Sequence, residues 1–220
     1  MMDTNNTPTF DVAAAFPVGA DEMDSLRSEL VRRAANDDLL DVTYRTVDTP
    51  LGTLLLAATE RGLLRVAYER EEFERVLDTI AQRVSSRILR TPARLDDAAR
   101  ELDEYFIGRR TVFDLALDHS LSSGFRDEVQ RSLPTIAYGR TASYSEIAKL
   151  VGRPRAVRAV GTACATNPLP IVVPCHRVVR SDGSYGQYVG GVDAKTTLLT
   201  MEGAVCETRR ETGEGASKPH

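Results

Sequence analysis

The sequence predicts an α+β fold: a small N-terminal antiparallel sheet with helices, then a mainly helical C-terminal domain containing a helix-turn-helix and a cysteine active-site loop. Three observations carry this expectation. Strand-like segments broken by turn residues run from Val42 to Tyr68, helical spacing takes over after Ser122, and Pro174-Cys175-His176-Arg177-Val178 stands between an apolar run and a glycine-rich segment.

In the first half, Val42 to Val47 alternates like a strand, the Pro50-Leu51-Gly52 turn leads into Thr53 to Ala58, and Gly62 opens a third strand near Leu64 to Tyr68. Helical patterns run from Glu71 to about Val84 and from Leu95 to about Phe106, and a further strand is expected from Val112 to Leu117. Residues 1–40 read as an extension, partly disordered, polar and punctuated by Pro and Gly up to Ala20. A short helix is expected within it from Asp21 to Asn36, where Met23, Leu26, Leu30 and Val31 share a face. Residues 205–220 are short of apolar groups and read as a disordered tail, leaving 41–120 and 121–204 as the two domains.

The chain has 220 residues, 42% hydrophobic and 27% charged, enough to bury a proper core. It holds no apolar run long enough to cross a bilayer. The N-terminus has no Lys or Arg before Arg27 and carries Asp3 and Asp11, unlike a signal peptide. Cys164, Cys175 and Cys206 are odd in number and lack framework spacing, which predicts a reducing cytoplasm. Net charge is −4, but its distribution is uneven: Leu121 to Ala204 holds ten Lys and Arg against six Asp and Glu, leaving 18 against 26 elsewhere. A relatively basic C-terminal half is compatible with a DNA-facing surface.

In that half Phe125, Val129 and Leu133 repeat every four residues, giving a helix with one buried face. Ser143-Tyr144-Ser145-Glu146 has the form of a capping box and starts a helix with Ile147, Leu150 and Val151 on its apolar side. Gly152 suits a left-handed ending, and Pro154 the first turn of a second helix reaching about Thr166. On that helix Val157, Val160, Gly161 and Cys164 share a face assigned to the core. Ala156, Ala159 and Ala163 form a smooth stripe, and Arg155, Arg158 and Thr162 a polar one. The pair reads either as a DNA-binding helix-turn-helix or as a plain helical hairpin. An alanine stripe beside a projecting Arg158 suits close approach to a backbone or narrow groove rather than base reading by long side chains.

Cys175 lies beside His176 in a chain with three cysteines and three histidines. A thiolate is the competent nucleophile, and a neighbouring base supplies it near neutral pH; the other reading of Cys175 is a small buried hydrophobe. Downstream, Ser181-Asp182-Gly183-Ser184 makes a turn, and Gly186-Gln187-Tyr188-Val189-Gly190-Gly191 a flexible loop without dinucleotide-fingerprint spacing. A last helix from about Asp193 ends at Glu202-Gly203. A carboxylate is disfavoured at a helix C-terminus by about 0.3–1 kcal/mol. Glu202 is therefore either solvated or partnered, with His176 the candidate partner.

Together, Ser143-Tyr144, Arg158-Ala159-Val160-Gly161 through Asn167-Pro168, Pro174 to Val178, and Glu202-Gly203 resemble, in order and spacing, the O6-alkylguanine-DNA alkyltransferases. The resemblance covers roughly residues 42–204. It implies a ribonuclease H-like α/β domain over 41–120 and a DNA-binding, alkyl-acceptor domain over 121–204. It implies single-turnover, irreversible transfer of an alkyl group from O6-alkylguanine, and from O4-alkylthymine, in duplex DNA to Cys175. His176 and Glu202 would form a relay through a water to the thiol, and Tyr144 would aid rotation of the nucleotide and donate to the departing guanine. Arg158 would fill the stack when the damaged base swings out, with Arg155, Ala159 and Ala163 also on the DNA side. Asn167 would organise the turn before the active-site strand. Backbone groups of Cys175, Val178 and Val189 would read the guanine edge, and Tyr188 would wall the pocket. No cofactor and no metal are implied, and the partner would be double-stranded DNA met by a monomer in the cytoplasm.

The chain departs from the family pattern at Gln130, where a tryptophan is common, and at Gln187 and Val189, where smaller residues are usual. A bulkier Val189 bears on adduct size. Three other activities compete: a non-catalytic lesion binder, which would need the acceptor cysteine replaced; a helix-turn-helix regulator; and a cysteine hydrolase.

Overall fold

The computed structural model describes residues 40–204 apart from Ala93, together with Gly19, Glu22, Ser25, Leu26, Glu29 and Arg33. Those last five positions are helical; the rest of the expected Asp21–Asn36 helix and the tail from 205 lie outside the described residues.

Strand β1 (Val42–Thr49) turns through Pro50 and Leu51 into β2 (Gly52–Thr59), and β2 into β3 (Gly62–Tyr68), each pair antiparallel. β2 is buried on both faces, so its residues divide by parity: Leu54, Leu56 and Ala58 enter one apolar cluster, Leu55 and Ala57 the other. A register shift at Ala57/Ala58 sets Leu63 and Val66, three residues apart, on the same side.

The expected all-antiparallel sheet is corrected to a mixed one. β4 (Ile88–Arg90) runs parallel to β1, and the strand order is β3-β2-β1-β4. The segment from Val112 to Leu117 forms no strand. It meets β3 through a bridge of Leu63 with Leu117 and a bond from the Leu63 N–H to the Ala116 carbonyl at 2.8 Å. Helix α1 (Phe73–Arg83) covers one face of the sheet with Val76 and Ile80. Helix α2 (Asp96–Phe106) covers the other with Ala98, Leu102 and Tyr105.

From Ser122 the chain is helical, as expected: α3 (Phe125–Ser132), α4 (Tyr144–Leu150), α5 (Val157–Ala165) and α6 (Gly191–Met201). The capping box forms in both directions: Ser143 Oγ accepts from the Glu146 N–H at 3.2 Å, and the Glu146 carboxylate accepts from the Ser143 N–H at 2.6 Å. Gly152 takes its left-handed φ of 70° between α4 and α5. Pro154 lies in that turn rather than in α5, which begins three residues later than expected. A short parallel pair, β5 (Ala142–Ser143) with β6 (Val178–Val179), ties the start of α4 to the segment after Cys175. The main core cluster draws on β2, β3, α2 to α5 and Leu169 to Val178 alike, so the cysteine segment is part of the core.

Candidate active site

Helix α5 ends at Ala165 with Thr166 as its C-cap, and the chain turns through Asn167 to Pro174 to reach a single 3-10 turn, Cys175–Arg177. Ile171, fully buried in this turn, has φ 74°, a left-handed conformation that is a true outlier for a β-branched residue. Strain of this kind costs about 1–3 kcal/mol and persists where surrounding packing over-determines it.

Cys175 is 2% exposed. Its sulfur accepts a hydrogen bond from Asn167 Nδ2 at 3.1 Å. The same amide nitrogen donates to the Val173 carbonyl at 2.9 Å, and Asn167 Oδ1 accepts from the Leu169 N–H at 3.0 Å. Asn167 therefore shapes the turn, as expected, and also touches the thiol. Burial pushes the Cys175 thiol up to about 11, although the Asn167 bond and the nearby Lys195 ammonium pull the other way. The resting group is a thiol, so a base must take its proton before the sulfur can act.

His176 is fully buried and its Nε2 lies 2.9 Å from Glu202 Oε1. Burial lowers its pKa against the pull of Glu202, so the ring is neutral near pH 7. With Nε2–H donating to the carboxylate, Nδ1 keeps its lone pair, and that atom has no hydrogen-bond partner among the described residues. Glu202 stands at the C-terminal cap of α6 and is partnered, not solvated. Burial raises its pKa, but bonds from His176, Arg177 and Tyr105 outweigh that and hold it at about 2. Arg177 clasps it bidentately, Nε to Oε2 at 2.8 Å and Nη2 to Oε1 at 2.9 Å, while Tyr105 donates to Oε1 at 2.6 Å.

Three residues of this pocket escape motif reasoning. Arg177 carried a signal, as a cation between two residues of an otherwise reactive or apolar motif. Lys195 carried one too, since it falls on the face of α6 with Leu198 and Leu199; it is fully buried and donates to the Val178 carbonyl at 2.6 Å. Tyr105 shares the apolar face of α2 with Ala98 and Leu102, but nothing in its neighbourhood announces a carboxylate partner.

Tyr144 is half-buried at the start of α4, and burial pushes its phenol up to about 12, so it remains a donor. Gly186 packs against its hydroxyl so closely that a Cβ there would lie 2.1 Å from the oxygen. Tyr188 is buried and Val189 partly so, with the Tyr188 ring edge-on to His176 at 6.2 Å between centroids.

Arg155, in the turn before α5, is exposed, as are Arg158 and Ala159 on the helix. Two assignments are corrected. Ala163 is fully buried, so it cannot face DNA: its small size admits α3, whose Gln130 Nε2 donates to the Ala163 carbonyl at 2.9 Å. Val157, assigned to the core, is 37% exposed, because it sits in the first turn of α5 beyond that cover. Cys164 is buried core, as expected. Among the described residues no three of His, Cys, Asp and Glu gather as metal ligands, and no helix is long and apolar enough to cross a membrane.

Comparison with known proteins matches residues 42–119 to the ribonuclease-like domain of 6-O-methylguanine DNA methyltransferase and residues 124–204 to its DNA binding domain. A methylated-DNA–protein-cysteine methyltransferase of Mycolicibacterium paratuberculosis is 42% identical over 161 residues, 73% of this chain and 92% of that protein. The chain belongs to the 6-O-methylguanine DNA methyltransferase family. A homologue of the same name from Methanosarcina barkeri is 38% identical over 72% of this chain and 96% of its own length. The crystal structure of Mycobacterium tuberculosis O6-methylguanine methyltransferase superposes with a TM-score of 0.62 at 36% identity, covering 75% of this chain and 94% of that one. A structure of the Mycobacterium tuberculosis protein in complex with DNA gives the same TM-score over 74% of this chain and 93% of that one. In this chain, Pro174–Val178 is the segment around which the buried polar groups gather.

Proposed function

We propose that this protein repairs DNA by direct, stoichiometric and irreversible transfer of an alkyl group from O6-alkylguanine, and from O4-alkylthymine, in duplex DNA to Cys175. The observation that carries the reading is the buried His176–Glu202 pair next in sequence to a buried thiol held by Asn167, with the neutral imidazole keeping Nδ1 as a proton acceptor. The names of its relatives, methylated-DNA–protein-cysteine methyltransferases, support the same chemistry and an activity among the transferases.

In this reading the α4–α5 pair meets double-stranded DNA, with Arg158, Arg155 and Ala159 on the groove side. Arg158 replaces the damaged base in the stack, since the adduct is out of reach inside a duplex. Tyr188 walls the pocket that receives the base, and backbone groups at Cys175, Val178 and Val189 meet its edge. The Val178 carbonyl already accepts from Lys195 and has a second lone pair to offer. The proton of Cys175 passes through a water to His176 Nδ1, and the imidazolium that forms is stabilised by the Glu202 carboxylate. The sulfur displaces in line at the alkyl carbon: the S–C bond forms, the C–O6 bond breaks, and its electron pair leaves with the guanine, to which Tyr144 donates. The thioether has no easy reversal, so each molecule acts once. No cofactor enters, because the damaged base is itself the donor. The protein works as a monomer in the cytoplasm.

Incubation with a duplex oligonucleotide bearing O6-methylguanine, followed by intact and peptide mass measurement, tests this. One methyl per molecule on the peptide containing Cys175 is expected. Labelling that survives Cys175→Ala, or many turnovers per molecule, would refute it.

A further inference from the structure

Strand β3 is the edge of the N-terminal sheet nearest the reactive segment, and its last residue reaches that segment directly. Tyr68 is 3% exposed, and its hydroxyl lies 2.9 Å from that of Tyr188, 120 positions later in the chain. The two rings meet edge to face, 5.9 Å apart and inclined at 74°. Tyr188 in turn stands edge-on to His176. The Gly190-Gly191 junction lies flat against the same corner. A Cβ on Gly190 would come within 2.6 Å of Tyr68 Cζ, and one on Gly191 within 2.3 Å of Arg70 Nη1. Only a backbone without side chains approaches so closely.

Tyr68 is itself well held. It pairs with Leu54 of β2, and its N–H donates to Glu71 Oε1 at 2.9 Å. Glu71 is ion-paired with Arg65, whose Nη1 donates to the Pro168 carbonyl at 3.0 Å. The Val66 N–H donates to that same carbonyl at 2.9 Å. One end of β3 thus fastens both sides of the thiol: the Asn167-Pro168 turn and the loop carrying Tyr188.

We propose that Tyr68 is a positioning residue for alkyl transfer, fixing the rotation of Tyr188 and the loop Gly186–Gly191 from the N-terminal sheet. This rests on the reading of Tyr188 as a pocket wall and extends it to a residue outside the matched DNA-binding domain. Its phenol does not touch the base. Without the shared hydrogen bond, the Tyr188 hydroxyl is left buried without its partner and the wall is free to rotate away from the productive geometry.

The experiment compares the full-length wild type with Tyr68→Phe, Tyr188→Phe and the double variant. It reads the single-turnover rate at saturating O6-methylguanine duplex, the affinity for undamaged duplex and the melting temperature. Tyr68→Phe is expected to slow transfer about 5-fold at saturation with unchanged affinity, the scale of one lost neutral hydrogen bond. The double variant should be no slower than either single one, because both remove the same bond. A wild-type rate for Tyr68→Phe, a loss confined to melting temperature or affinity, or multiplied losses in the double variant would each overturn the inference. Failure of the wild type to label Cys175 would instead sink the functional reading on which it stands.

Discussion

The outward face of α5 and the thiol pocket belong to one short stretch, Val157 to Arg177, yet they are built on opposite rules. On the helix, Arg158, Ala159 and Thr162 are exposed, and the bonds there are local, such as Thr162 Oγ1 donating to the Arg158 carbonyl. In the pocket almost every polar group is buried and paired, and Glu202 alone collects donors from residues 25, 26 and 97 positions away. The surface proposed to meet DNA carries its arginines exposed. The thiol pocket satisfies its own groups and leaves one acceptor, His176 Nδ1, without a partner among the described residues.

The largest contrast should come from removing the charge at the centre of the pocket. Glu202→Gln leaves the Arg177 guanidinium buried without its counter-charge, an error that costs about 3–5 kcal/mol when one partner of a buried pair is lost. Urea unfolding of the variant should show this loss, and alkyl transfer should slow while affinity for undamaged duplex stays near wild type. A loss under about 1 kcal/mol would mean the carboxylate is no keystone.

Acid acts on the same groups with a fixed sign. Glu202 has its folded pKa depressed to about 2 from the ordinary 4.5, so its contribution is present above pH 4.5 and is lost as pH falls from there toward 2. The full difference is worth about 3 kcal/mol. His176 is held neutral, with a pKa below 6.5, so stability begins to decline as pH falls through that value. Stability of the wild type should therefore fall in two stages on acidification. Glu202→Gln should lack the lower one, which denaturant titrations at several pH values would show.

What the sequence disclosed follows the same division. Local devices were legible: the Ser143–Glu146 capping box, the Gly152 ending, the period of α3 and the alternation of β1, because each is written in neighbouring residues. The partner of Glu202 was legible as a need, since a carboxylate at a helix C-terminus calls for a donor. Arg177 and Tyr105 were not, because their role is fixed by how α2, α6 and the 3-10 turn meet in space. Parallel pairing of β4 with β1 joins segments too far apart for hydropathy to register. Ala163 shows the opposite failure. Small size marks close approach, but size alone does not say whether DNA or α3 approaches.

Asn167 sits at the join of the two regions, and its loss should be intermediate. Asn167→Ala removes the donor to the Cys175 sulfur and the donor to the Val173 carbonyl, at about 1–3 kcal/mol for buried groups left unpaired. Because that bond lowers the thiol pKa, the variant's thiol should titrate above the wild type's value of about 11. Iodoacetamide labelling of Cys175 across alkaline pH, read by mass, should rise later in the variant. An unchanged profile would take the amide out of the thiol's electrostatics.

Arg158 should give the smallest stability change and the sharpest functional one. Its side chain is exposed at the second position of α5, so Arg158→Ala should shift stability by no more than about 0.5 kcal/mol. If its task is to take the place of an extruded base, the variant should lose transfer from duplex O6-methylguanine while keeping transfer from the free alkylated base, which needs no extrusion. Arg155→Ala, one phosphate-range cation nearby, should instead weaken binding to all duplexes evenly and reduce the salt slope by about 0.9. Equal losses on duplex and free base for Arg158→Ala would mean that the arginine acts on the pocket. The outer face and the inner pocket would then be one machine rather than two regions made by different rules.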